Sequence, residues 1–250
     1  MAKTNESAPG GNKAALLEHL LALRKVLVIS AGAILAAFVL VFYFASDYLM
    51  SLITGPIAAR GIEIIYTAMS EALMTKIKVA LIAGVVVASP VIVWQVWGFI
   101  RPALYEAEIK AAKALFVVIL ALFLFGVAFC YGAVYFLAVD FFLIAGENLA
   151  TPMLSIDNYV SFLFGFVVPF GLAFELPVAI WITTRLGWTT PKMLADKRKY
   201  VILGIAIVAA ILTPPDVVSQ VMLGIPMLLL YEAGILVARL VKPGKKSAEA

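Results

Sequence analysis

The chain has 250 residues, of which 64% are apolar and only 14% charged, a balance that excludes an ordinary soluble domain and predicts an integral membrane protein. The net charge of +4 is modest, and the placement of the basic residues along the chain accounts for it without a nucleic-acid partner. A single cysteine, Cys130, and a single histidine, His19, exclude an intrachain disulfide framework and His-His zinc motifs. No P-loop is present either, so neither an enzyme nor a cofactor nor a metal site is implied.

Residues 1–12, with Pro9-Gly10-Gly11-Asn12 and no apolar periodicity, read as a disordered tail. From Lys13 to Lys25, Leu16, Leu17, Leu20 and Leu23 recur at helical spacing, which predicts an amphipathic interfacial helix running into the first span. Six segments are long and apolar enough to cross a bilayer: 26–45, 77–97, 114–138, 160–183, 200–213 and 217–238. The first exceeds a signal-peptide core and lacks a small-x-small cleavage site, so it reads as an uncleaved helix.

The fifth and sixth helices are expected to be the short ones. Tyr200–Leu212 offers 13 uninterrupted apolar positions, about 20 Å of helix against a hydrocarbon core of about 30 Å. Residues 241–250 form a basic C-terminal tail. Sixteen Lys and Arg lie in the two tails and in the second and fourth connections, against three (Arg60, Lys76 and Lys78) in the first, third and fifth. By the positive-inside rule both termini are expected in the cytoplasm. The resulting fold class is an all-α membrane protein of six transmembrane helices, N-in and C-in.

Four constellations carry information beyond hydropathy. The first is Glu18-His19-Leu-Leu-Ala-Leu-Arg24. The second runs through Ser89-Pro90, Trp94, Trp97, Phe99, Arg101-Pro102, Leu104-Tyr105 and Glu108 at the exit of the second span. Glu106 and Glu108 precede Lys110 and Lys113, so these acids also fit a solvated, charged helix face. The third is Phe170-Gly-Leu-Ala-Phe-Glu175-Leu-Pro-Val178, one carboxylate in a stretch with no other charge. An acid at membrane depth is a functional-site candidate by default, although a protonated carboxyl can also serve helix packing. Alone, Glu175 would also suit a small-solute or ion secondary transporter. The fourth is Leu212-Thr213-Pro-Pro-Asp216 with Ser219-Gln220, followed by Ile225-Pro226 and Tyr231-Glu232, where capping and a tight turn are one reading.

Taken in order, spacing and side of the membrane, these four motifs resemble TatC, the multispanning core of the twin-arginine protein translocase, over about residues 17–239. The resemblance implies a concave helical bundle in the bacterial cytoplasmic membrane. It implies a receptor that binds twin-arginine signal peptides of folded substrates, recruits single-span TatA/TatB-type subunits, self-associates and is driven by the proton-motive force. Glu108 then matches the family's acid, framed by Phe99, Pro102, Leu104 and Tyr105. Carboxylates at that surface suit forked hydrogen bonds to guanidinium groups.

The family's N-terminal pattern His-Leu-x-Glu-Leu-Arg covers His19, Leu20, Leu23 and Arg24, but position 22 here is Ala. Glu18 lies four residues earlier on the same helical face and is expected to supply the missing carboxylate. For His19 itself, packing or capping remains an open alternative. By the same resemblance, Thr213 and Gln220 fall where partner transmembrane helices bind. Pro56, Glu71 and Asp216 belong to the external structure, with Pro56 and Glu71 in a cap that makes contacts between subunits. Glu175 becomes a polar point on the docking face.

Overall fold

The structure, a computed structural model, describes residues 11–100, 109–147, 151–213 and 216–241. The amphipathic segment and the first span form one continuous helix, α1 (Gly11–Phe44), because no Gly-Pro break or capping residue separates them. A short helix α2 (Ser46–Ala58) and strand β1 (Glu63–Ile65) follow. The second span, α3 (Glu71–Ile100), carries Pro90 in its interior.

The third span is composite: α4 (Ile109–Phe129), a π-helical turn Cys130–Tyr135, and α5 (Phe136–Gly146). After β2 (Met153–Ser155) the fourth span divides into α6 (Ile156–Ala173) and α7 (Leu176–Arg185). The short α8 (Pro191–Asp196) leads into α9 (Arg198–Leu212) and α10 (Val217–Leu240).

Among the described residues, five helical segments are long and apolar enough to cross a membrane, and α9 is not one of them. Its 15 residues rise about 22 Å. The expectation of a short sixth helix is corrected: α10 has 24 residues, about 36 Å. Its Pro226 is accommodated inside the helix, and Asp216 caps its start by accepting the Ser219 N–H at 2.7 Å, so the apolar run is used in full. The all-helical expectation also meets one exception, since β1 and β2 pair in parallel, Ile64 opposite Leu154.

α1 and α3 pack as an antiparallel pair. At their crossing Gly84 lies so close to α1 that a Cβ would stand 2.9 Å from the Phe38 nitrogen. Near the start of α3 Lys76 reaches Asp47 of α2 at 2.5 Å. Small residues at a membrane helix interface permit this approach, where attraction comes from close packing and not from solvent exclusion.

The main core joins α2, the π-turn, α5 and α6 through Ile57, Tyr135, Val160, Phe166 and Phe170. A smaller one at the opposite end joins α7 to α10 through Ile180, Tyr231 and Ile235. There Tyr231 donates to the Leu194 carbonyl of α8 at 2.8 Å.

Candidate functional site

Glu175 stands at a break that the sequence around it creates. Pro177 has no N–H to return to Ala173, and its ring opposes continuation of the helix, so α6 ends and α7 starts with Pro177 in its first turn. The intervening backbone tightens, with the Glu175 N–H donating to the Leu172 carbonyl at 3.1 Å. The break is held against α4 by close contact. A Cβ on Gly126 would meet the Phe170 carbonyl at 2.8 Å, and Phe174 packs on Phe125 and Phe129 with ring centroids 5.4 and 5.7 Å apart.

The Glu175 side chain lines a cavity of about 300 Å³ between α3, α4 and α6, whose walls include Ser89, Val93, Trp97 and Phe123. One carboxylate oxygen, Oε1, is buried there with no hydrogen-bond partner. A buried acceptor without a donor is costly in a low-dielectric setting. An oxygen in this state can accept from a donor that enters the cavity.

The sequence-predicted recognition residues fall at the end of the molecule where α1 begins and α3 finishes. Phe99 lies 15 residues beyond Gly84, and Leu23 lies 15 before Phe38. In an antiparallel pair this puts the two at one level, about 22 Å from the crossing. Leu20, Leu23 and Arg24 are exposed on α1, and Phe99 is 38% exposed on α3. Glu18 and His19 belong to α1 by backbone, and their side chains lie outside the described set. Pro102, Leu104, Tyr105 and Glu108 lie outside the described residues altogether.

At the far end the predicted residues are tied into local structure. Thr213, buried at the C-terminus of α9, donates to the Ala209 carbonyl at 2.8 Å. Gln220 crosses from α10 to donate to the Ala206 carbonyl of α9 at 2.9 Å. Thr213 also lines an apolar groove of about 710 Å³ bounded by α5, α6 and β2.

Glu71 opens α3 and gathers the segments before α3 and α6. Its Oε2 accepts from the Thr67 N–H and hydroxyl at 2.5 and 2.8 Å. Its Oε1 accepts from the Ser155 hydroxyl and from the Asp157 N–H at the start of α6. Beside it Lys78 pairs with Asp157 at 2.5 Å. Pro56 lies inside α2.

Three features were not anticipated from the sequence. Glu232 accepts a forked pair from Arg198 at 2.6 and 2.8 Å, fastening α9 to α10. Arg60 pairs with Asp140 at 2.9 Å and lies over the Phe136 ring. Tyr131 and Tyr159 donate to carbonyls of α2. The only sequence signal for the last was Pro56, whose missing N–H leaves an acceptor for another group to fill.

Comparison with known proteins agrees with this architecture. The family model described as Sec-independent protein translocase protein (TatC) matches residues 18–226. The TatC protein of Carboxydothermus hydrogenoformans is 40% identical over 235 residues, covering 94% of this chain and 96% of its own. That of Aquifex aeolicus is 42% identical over 238 residues, covering 94% and 98%, and that of Escherichia coli is 37% identical over 227, covering 90% and 88%. A crystal structure of the twin-arginine translocase receptor TatC superposes with a TM-score of 0.83 at 41% identity, covering 89% of this chain and 98% of that one. Matched in sequence from the first helix into the last and in fold over nearly all of its described length, the chain belongs to the TatC family of Sec-independent protein translocase proteins.

Proposed function

We propose that the chain is the signal-peptide receptor of a twin-arginine translocase in the bacterial cytoplasmic membrane, exporting folded proteins at the expense of the proton-motive force. Family membership along the whole fold supports the translocase role. The observation within the molecule that carries the receptor reading is the unpartnered Glu175 Oε1 in a cavity between three helices. It is a docking point, with no second acid, lysine or histidine in its own span between residues 158 and 184 to relay a proton. The solute-transporter reading leaves the terminal motifs of α1 and α3 without a role.

In this reading the membrane domain, residues 13–240, crosses six times, α9 included, with a basic tail at 241–250; the tail boundary expected at residue 12 is corrected, since Gly11 and Asn12 already lie in α1. Both termini face the cytoplasm, as the distribution of Lys and Arg favours. Two guanidinium groups of the signal peptide meet Glu108 and Glu18, while Phe99, Pro102, Leu104, Tyr105, Leu20 and Leu23 hold the apolar residues that follow. His19 and Arg24 complete that surface. Carboxylate forks bind arginine with a planar geometry that lysine cannot reproduce.

Thr213 and Gln220 mark the α9–α10 edge where single-span TatA/TatB-type subunits bind, and Pro56, Glu71 and Asp216 shape the outer face through which copies associate. No residue is assigned a catalytic role. Cross-linking of a twin-arginine peptide to the chain in membrane vesicles tests the reading. Glu108→Gln is expected to abolish the adduct and Glu18→Gln to weaken it strongly, whereas an unchanged adduct in both would overturn the assignment.

A further inference from the structure

Pro56 occupies the interior of α2. Every helical N–H normally donates to the carbonyl four residues earlier, and proline has none to give. The group left open is therefore the Leu52 carbonyl, and at a membrane boundary an acceptor without a donor demands one from elsewhere. It has one. The Tyr131 hydroxyl donates to the Leu52 carbonyl at 2.7 Å, and the adjacent Ile53 carbonyl accepts from the Tyr159 hydroxyl at 2.9 Å.

Both donors come from other elements, Tyr131 from the third span and Tyr159 from the fourth. Tyr131 belongs to the π-helical turn Cys130–Tyr135. Widening of one turn shifts the angular register of the residues after it, and such turns cluster at functional positions. Tyr131 and Tyr135 stack with ring centroids 6.4 Å apart and planes within 10°, so the turn presents a fixed aromatic face to α2. Ile53 and Ile57 of α2 are buried beside these rings.

We infer that Tyr131 is the positioning residue through which Pro56 acts: proline opens one main-chain acceptor on α2, and the Tyr131 hydroxyl fills it, fixing both the rotation and the height of α2 against the third span. A residue with an N–H at position 56 gives the Leu52 carbonyl a second, competing donor, and phenylalanine at 131 removes the Tyr131 donor. Either change releases the same fastening. The functional consequence, a loosened outer face between copies, rests on the cap assignment proposed above.

The test uses the full chain in membranes with spin labels on Tyr48→Cys and Leu137→Cys. Both positions are exposed, at 69% and 62%, while the native Cys130 is buried. The parent is expected to give one narrow distance peak between α2 and α5. Pro56→Ala and Tyr131→Phe should each replace it with the same broadened distribution, and the double variant should broaden it no further. A parent-like peak in Tyr131→Phe, or broadening in the double variant that adds the two singles, overturns the inference and returns Pro56 to acting through its ring or its bend.

Disulfide formation between copies through Met69→Cys, at a position 99% exposed, separates the two claims. A fall in yield in Pro56→Ala and Tyr131→Phe supports the cap assignment. Unchanged yield alongside broadened distances refutes that assignment and leaves the fastening intact.

Discussion

The α1–α3 crossing makes a quantitative demand on Gly84. A Cβ at this position would lie 2.9 Å from the Phe38 nitrogen and 3.0 Å from its Cα, and a helix backbone cannot swing aside as a side chain can. Overpacking of this kind costs about 1–3 kcal/mol. Gly84→Ala also gains about 1 kcal/mol of helix propensity, so its net effect is a destabilisation of about 0–2 kcal/mol. Gly32, within α1, provides the control, because a Cβ there meets nothing within 4 Å. Gly32→Ala should be stabilising by about 1 kcal/mol. The difference between the two variants isolates the steric cost, about 1–3 kcal/mol or roughly 5- to 150-fold in the unfolding equilibrium. Denaturant titration in mixed micelles, followed by tryptophan fluorescence, measures both on the same scale. Equal midpoints for Gly84→Ala and Gly32→Ala would refute the claim that backbone contact at Gly84 holds the first span in place.

Other sites make sharper functional demands. Glu175→Leu removes an acid from membrane depth, where insertion scales set its cost at about 3 kcal/mol; the variant should resist denaturant better than the parent yet fail in an export assay, and full export would leave Glu175 a packing residue only. Glu71→Gln turns one edge of a five-donor acceptor into a donor facing other donors. It should speed tryptic cleavage after Arg60 in the detergent-solubilised chain, and an unchanged rate would remove Glu71 from the organisation of these segments. Gly165→Ala would press a Cβ to 2.8 Å from the Leu212 carbonyl, prising α9 from α6. Cross-links from a partner helix to position 213 should fall while signal-peptide cross-links persist, and a loss of both would point to global unfolding instead.

The membrane class and most of the spans were legible because apolar runs of this length have few other uses, and the break near Glu175 was foreshadowed by Pro177. The short α9 was equally plain from its 13 apolar positions. Other features leave no local trace. The Cys-Tyr-Gly-Ala-Val-Tyr segment has the composition of an ordinary helix, and nothing in it announces the π-turn whose Tyr131 bonds α2. That helix itself contains Gly55 and Pro56, which read locally as loop; it forms because Ile53 and Ile57 find a buried surface and because Tyr131 supplies the missing donor.

Pairing of Glu63–Ile65 with Met153–Ser155 joins segments ninety residues apart, beyond any periodicity. For the same reason Glu71 could be singled out by position while its partners Ser155 and Asp157 could not. Glu232 and Arg198 are 34 residues apart in sequence, and only the fold brings them together. The residues proposed for recognition came from family resemblance alone, and the geometry adds that two of them, Phe99 and Leu23, stand level where α1 begins and α3 finishes.

The central claim is that this chain reads paired arginines. Fluorescence-detected binding of a twin-arginine signal peptide to the detergent-solubilised chain, compared with the same peptide carrying Lys-Lys, tests it most directly. Saturable binding to the Arg-Arg peptide and its loss with Lys-Lys is the predicted result. Equal affinity for both peptides, or none for either, would contradict it.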